Sequence, residues 1–156
     1  MRKTEPIASK DSRVDGVILR EFRFPQDYEA VLTLWENAGP GIHVRRSDQP
    51  EEIAKKLERD PDLFLVAEVD GRIAGSVLGG FDGRRGMMYH LAVAPDYRQR
   101  GIASALMAEL ERRLRAKGCI RYYLLVTTDN YPAIRFYEDR GWQRMESLYA
   151  YGKDLD

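Results

Sequence analysis

Apolar positions along the chain fall into short runs and spaced stripes, and each predicts an element. Val17-Ile18-Leu19 reads as a strand, and Pro25 suits a first helical position before a helix from Gln26 to Trp35. Tyr28, Val31, Leu32 and Trp35 share a face of that helix. Ala38-Gly39-Pro40-Gly41 breaks it, and Ser47 or Asp48 is placed to cap a second helix with Ile53, Leu57 and Ala54 on its inner side. Asp60-Pro61 ends this one. Leu63 to Val69, Arg72 to Phe81 and Met87 to Val93 then read as strands, with Asp70-Gly71 as a two-residue turn and Asp82-Gly83 opening a longer loop.

The clearest stripe is Ile102, Leu106, Leu110 and Leu114, at i, i+4, i+8 and i+12, which predicts a helix to Lys117 capped by Gly118. Tyr122 to Val126 reads as a further strand, Asn130 to Arg140 as a helix closed by Gly141, and Trp142 to Tyr151 as one or two final strands. The order β-α-α-β-β-β-α-β-α-β predicts an α/β domain (α+β in its mixed sheet) over residues 16–156, with helices on both faces. Residues 1–15 are polar and aperiodic, and read as a mobile tail or an extension.

Composition narrows the classes. Lysine plus arginine (25) balance aspartate plus glutamate (25), which argues against wholesale binding of nucleic acid or a membrane. Apolar stretches such as Leu63-Phe64-Leu65-Val66-Ala67 are too short to span a bilayer, and no apolar leader opens the chain. A single cysteine, Cys119, allows no internal disulfide and no cysteine metal cluster, so the expectation is a cytoplasmic protein without a metal.

Candidate chemistry gathers at Arg98-Gln99-Arg100-Gly101-Ile102-Ala103, between the strand run Leu91-Ala92-Val93 and the long helix. A helix start with little side-chain cover presents free backbone N–H groups, and the helix dipole favours an anion there. By itself this is a phosphate grip, or only a turn. Neither Gly-x-x-x-x-Gly-Lys-Ser/Thr nor Gly-x-Gly-x-x-Gly is present to make it a nucleotide loop of another kind.

With LAVAPDYRQRGIASALM (91–107) and NYPAIRFYEDRGW (130–142) at this spacing, the chain resembles the GCN5-related N-acetyltransferase (GNAT) family over nearly everything but the tail. The resemblance implies a mostly antiparallel sheet whose strand Met87–Val93 splays from a parallel neighbour, Tyr122–Val126. Acetyl-CoA would lie in the gap, its pantetheine arm against the backbone of Leu91, Ala92 and Val93. Its pyrophosphate would sit on the N–H groups of Gln99, Arg100, Gly101, Ile102, Ala103 and Ser104, with Arg98 and Arg100 adding positive charge. Asn130 would bond the cofactor, cap the following helix, or both. Tyr137 would protonate the departing thiolate as general acid, where otherwise it is a core aromatic beside Phe136.

The implied reaction is direct attack by a primary amine in a ternary complex, with a catalytically silent acyl-CoA-binding module as the rival. No carboxylate stands on Met87-Met88-Tyr89-His90 or on Leu124-Leu125-Val126, where some members carry their base. His90 is the nearest group suited to that task, against a packed structural role; a water chain or an acid from the Glu36–Asp48 loop are the other routes. The same loop, with His43, Arg45 and Arg46, and the final hairpin would line the acceptor site. A homodimer is compatible with this reading, because the last strands of such folds often pair.

Overall fold

The computed structural model describes residues 14–156; the expectation of a mobile tail lies outside them except at Val14 and Asp15. The elements are β1 (Val17–Glu21), α1 (Tyr28–Glu36), α2 (Pro50–Arg59), β2 (Phe64–Val69), β3 (Arg72–Phe81), β4 (Gly86–Val93), α3 (Ile102–Ala116), β5 (Tyr122–Tyr123) and α4 (Tyr131–Glu138). The described residues up to Leu125 form one compact unit and Val126–Asp156 a second.

The first unit holds one sheet in the order β1-β2-β3-β4-β5. Its first four strands are antiparallel neighbours, and β5 runs parallel to β4. Asp70 (φ 50) and Gly71 (φ 76) make the tight turn between β2 and β3, since a two-residue hairpin of this type needs two residues at positive φ. Parallel pairing covers only Gly86 with Tyr122 and Met87 with Tyr123. The rest of β4 therefore has no strand beside it on that edge among the described residues.

Neighbouring residues of β3 point to opposite faces, which assigns the helices. Gly75 and Gly79 face α3. A Cβ on Gly75 would come within 3.1 Å of Ile102 and 3.2 Å of Leu106, and one on Gly79 would run into Leu110. The missing side chains let α3 sit close against the sheet. Its predicted stripe is buried at Ile102 (1%), Leu106 (0%), Leu110 (0%) and Leu114 (2%), each worth about 1.5–3 kcal/mol of burial. Ser76 and Leu78 face the other way, toward a core of Phe22, Tyr28, Val31, Leu34, Trp35, Ile53 and Phe64. Phe22, Phe64 and Trp35 stack there, with centroids 4.1 Å (Phe22–Phe64) and 5.9 Å (Trp35–Phe64) apart.

Several boundaries differ from those the sequence predicts. Pro25 lies in the turn before α1, which starts at Tyr28, and Leu34 joins the inner face more deeply than Leu32. Asp27 precedes α1 without capping it, because its carboxylate binds Arg20 (2.7 and 2.9 Å) and the N–H of Arg23 (2.7 Å). Helix α2 starts at Pro50 after Gln49, so neither Ser47 nor Asp48 is its cap.

β5 ends at Tyr123, short of the predicted Val126, and Leu125 beyond it is exposed. No strand forms between Trp142 and Tyr151. Leu148, Tyr149 and Tyr151 are exposed there, and a strand without a covered apolar face or a paired edge has little to hold it. On β5 the Tyr122 hydroxyl bonds Glu111, and the guanidinium groups of Arg85 and Arg121 lie 5.9 and 5.4 Å from the centre of the Tyr123 ring.

Candidate functional site

The turn before α3 is shaped by backbone conformation. After the 3-10 turn Pro95–Tyr97, Gln99 (φ 62) and Gly101 (φ 79) both adopt left-handed geometry. Glycine suits its position because a side chain there would be strained at that φ. The N–H groups of Gln99 to Ala103 donate to no backbone carbonyl among the described residues. They form a nest of donors at the positive end of a fifteen-residue helix.

The two arginines divide. Arg98 donates from Nε to the Val93 carbonyl (3.2 Å) and from Nη2 to the Ala38 carbonyl (3.0 Å), so its guanidinium ties the end of β4 to the loop after α1. Arg100 is exposed, with its guanidinium 5.3 Å from the Tyr97 ring centre. What the turn offers an anion is therefore backbone N–H groups and the helix dipole, with Arg98 engaged elsewhere and Arg100 exposed beside them. Leu91, Ala92 and Val93 lie on the unpaired edge of β4 that leads to this turn.

His90 stands at a bulge. Ser76 opposes Ala92 and Leu78 opposes Tyr89, so His90 and Leu91 together face Val77. His90 has φ 46, a left-handed conformation that costs a non-glycine residue about 1–3 kcal/mol. The surroundings hold it there. Its Nε2 is 3.0 Å from both carboxylate oxygens of Asp48, and its ring centre is 4.7 Å from that of Trp35. Its carbonyl accepts from Ser76 Oγ (3.5 Å), which itself accepts from Trp35 Nε1 (2.9 Å).

Asp48 is 3% exposed and held on three sides. Its carboxylate also accepts the N–H of Arg45 (3.0 Å), and its carbonyl accepts the Tyr28 hydroxyl (2.8 Å). Burial pushes its carboxyl up, but the hydrogen bonds from His90 and Arg45 outweigh this and leave it below the usual carboxylate range. Nothing in the sequence joins the two residues, which lie 42 positions apart. The only hint is a histidine in an apolar strand run and an acid near the end of a loop. His43, Arg45 and Arg46 are exposed on that loop.

In the second unit, Asn130 caps α4, its Oδ1 accepting the N–H of Ala133 at 3.4 Å. Tyr137 packs edge-on against Phe136 (5.3 Å) and Trp142 (5.7 Å). Burial pushes its phenol up to about 12, so it stays protonated across the neutral range. Among the described residues no cluster of His, Cys, Asp or Glu could hold a metal ion, and no helix is long and apolar enough to cross a membrane.

Known proteins resemble this chain in sequence and in fold. An acetyltransferase of Sodalis glossinidius is 47% identical over 138 residues, covering 88% of this chain and 94% of its own length. One from Pectobacterium atrosepticum is 48% identical over the same shares. The crystal structure of Ard1 from Thermoplasma volcanium superposes with a TM-score of 0.71 at 28% identity, over 81% of this chain and 82% of that one. The paia N-acetyltransferase of Thermoplasma acidophilum, solved with coenzyme A, shares the fold at a TM-score of 0.68 and 20% identity, over 81% of this chain and 89% of its own. Residues 28–142 match the Acetyltransferase (GNAT) family, so the chain belongs to the GNAT acetyltransferases, enzymes that take their acetyl group from acetyl-CoA.

Proposed function

We propose that the protein acetylates a primary amine, on a small molecule or a peptide, by direct attack in a ternary complex. The observation that carries this reading is the nest of N–H groups from Gln99 to Ala103 beside the unpaired edge of β4. A diphosphate fits the nest because the donors are backbone groups and Gly101 puts no side chain over them. Leu91, Ala92 and Val93 would pair with the amide groups of the pantetheine arm as an added strand would. Asn130 would use the amide nitrogen that capping leaves to it.

Acetyl-CoA supplies an activated thioester; the chain supplies position and protons. His90 is the base that takes a proton from the acceptor ammonium, supported by its strained, clamped place on β4. Tyr137 is the acid that gives a proton to the departing sulfur. Full transfer from a phenol near 12 to an ordinary thiolate is uphill. The donation therefore belongs with collapse of the tetrahedral state, when the amine's second proton becomes available to replace it.

The test has two steps. Calorimetry with acetyl-CoA should show saturable heat, and an amine panel followed by release of free CoA thiol should identify an acceptor. Binding without thiol release from any amine would overturn the enzymatic reading, and absence of binding would overturn the site.

A further inference from the structure

We propose that Asp48 is a positioning residue that fixes the tautomer of His90, its carboxylate holding Nε2–H so that Nδ1 is the nitrogen free to accept a proton. This deepens the reading above and rests on His90 being the base. The proton balance is simple. The acceptor R–NH3+ gives one proton to Nδ1, producing an imidazolium whose Nε2–H faces a carboxylate, and the proton later leaves to solvent.

The geometry separates this role from two others. Asp48 is not itself the base. Its side chain is 4% exposed, both oxygens lie 3.0 Å from Nε2 and one also takes the Arg45 N–H, so an ammonium has no approach to it. Nor is the pair only a clip for the loop. A clip needs one bond, whereas His90 is constrained by Asp48 at one ring nitrogen, by Trp35 across its face, and by Ser76 and a left-handed bulge at its backbone. The ring is held in orientation as well as in place, yet its side chain is 20% exposed. Among the described residues Nδ1 makes no hydrogen bond, and it is not one of the buried polar atoms left without a partner.

The Arg45 N–H makes a near-isosteric test. In Asp48→Asn the amide oxygen serves that N–H but also stands 3.0 Å from Nε2, so the ring nitrogen meets one acceptor and one donor where it met two acceptors. The preference for Nε2–H is weakened, and the Nδ1–H tautomer becomes populated beside it. Geometry survives, but part of the population carries its proton on the nitrogen that must accept.

The chain contains two histidines, so long-range 1H–15N spectra of protein labelled at histidine, assigned with His43→Gln, read the tautomer directly. We expect Nε2–H alone at His90 in the unmodified protein and a mixture of the two tautomers in Asp48→Asn. Turnover in His90→Gln should fall about 100-fold at unchanged Kd for CoA. Turnover in Asp48→Asn should fall with the fraction of Nδ1–H, and the double variant should fall no further than His90→Gln. An Nδ1–H or mixed tautomer in the unmodified protein overturns the proposal without any variant having to fold. An unchanged Nε2–H in Asp48→Asn, or a tautomer shift with full turnover while His90→Gln is slow, overturns the role of the Asp48 carboxylate alone. Full turnover in both variants overturns His90 as the base, and Asp48 with it.

Discussion

On the α3 face of β3 the contact is made by side chains that are missing, and on the α1 face by side chains that hydrogen-bond. Gly75 and Gly79 leave space that Ile102, Leu106 and Leu110 fill, which brings the start of α3 close to the sheet with its N–H groups undecorated. Across the sheet, Trp35, Ser76, His90, Asp48 and Tyr28 form a chain of polar contacts inside an aromatic core. The first surface offers backbone donors to an anion and holds no titratable group among these residues. The second keeps a titratable ring in a fixed orientation. On the function proposed above, donor binding and proton transfer would be built from different materials on one sheet.

That contrast can be broken from either side. The largest stability effect belongs to Trp35→Ala, which empties a fully buried site and removes the donor to the Ser76 hydroxyl. It should cost about 3–5 kcal/mol in urea unfolding; a loss under 1 kcal/mol would mean that the aromatic core does not hold the polar chain.

Gly79→Ala comes next. Its Cβ would run into Leu110, and overpacking of this kind costs about 1–3 kcal/mol. Adding Leu110→Val should cost less in that variant than in the parent, as a double-mutant cycle would reveal. Strict additivity would show that the close approach of α3 does not depend on the glycine.

Tyr28→Phe removes one buried hydroxyl from the Asp48 carbonyl and should cost about 1 kcal/mol. Arg100→Ala should weaken CoA binding by only about threefold, since an exposed charge adds little to a backbone grip. A loss of several hundredfold would move the donor site from backbone to side chain.

Acid stability tests the polar side differently. Burial raises the Asp27 carboxyl, but bonds from Arg20 and the Arg23 N–H outweigh it and leave the group below its ordinary 3.8. A carboxyl lowered by folding stabilises the protein above its unfolded value. That contribution is lost as pH falls below 3.8 toward the folded value. Urea midpoints at pH 7 and pH 3 should therefore converge in Asp27→Asn relative to the parent; parallel losses would contradict the assignment.

Legibility follows the same division. Glycines, apolar stripes and turn pairs are local, so the Ile102–Leu114 stripe, the Asp70-Gly71 turn and the nest around Gly101 could be read directly from sequence. The Asp48–His90 bond spans 42 residues, and Asp48 read alone looks like a helix cap. The bulge that aims His90 depends on register between β3 and β4, which no local pattern reveals. The predicted final strands failed for a related reason. Alternating apolar residues describe a face that wants cover, and Tyr149 and Tyr151 find none.

The division of labour is tested most directly by measuring CoA affinity and turnover side by side in the parent and in His90→Gln. The account predicts a Kd within about twofold of the parent and a kcat lower by about 100-fold. Unchanged kcat, or a Kd that worsens in step with kcat, would contradict it.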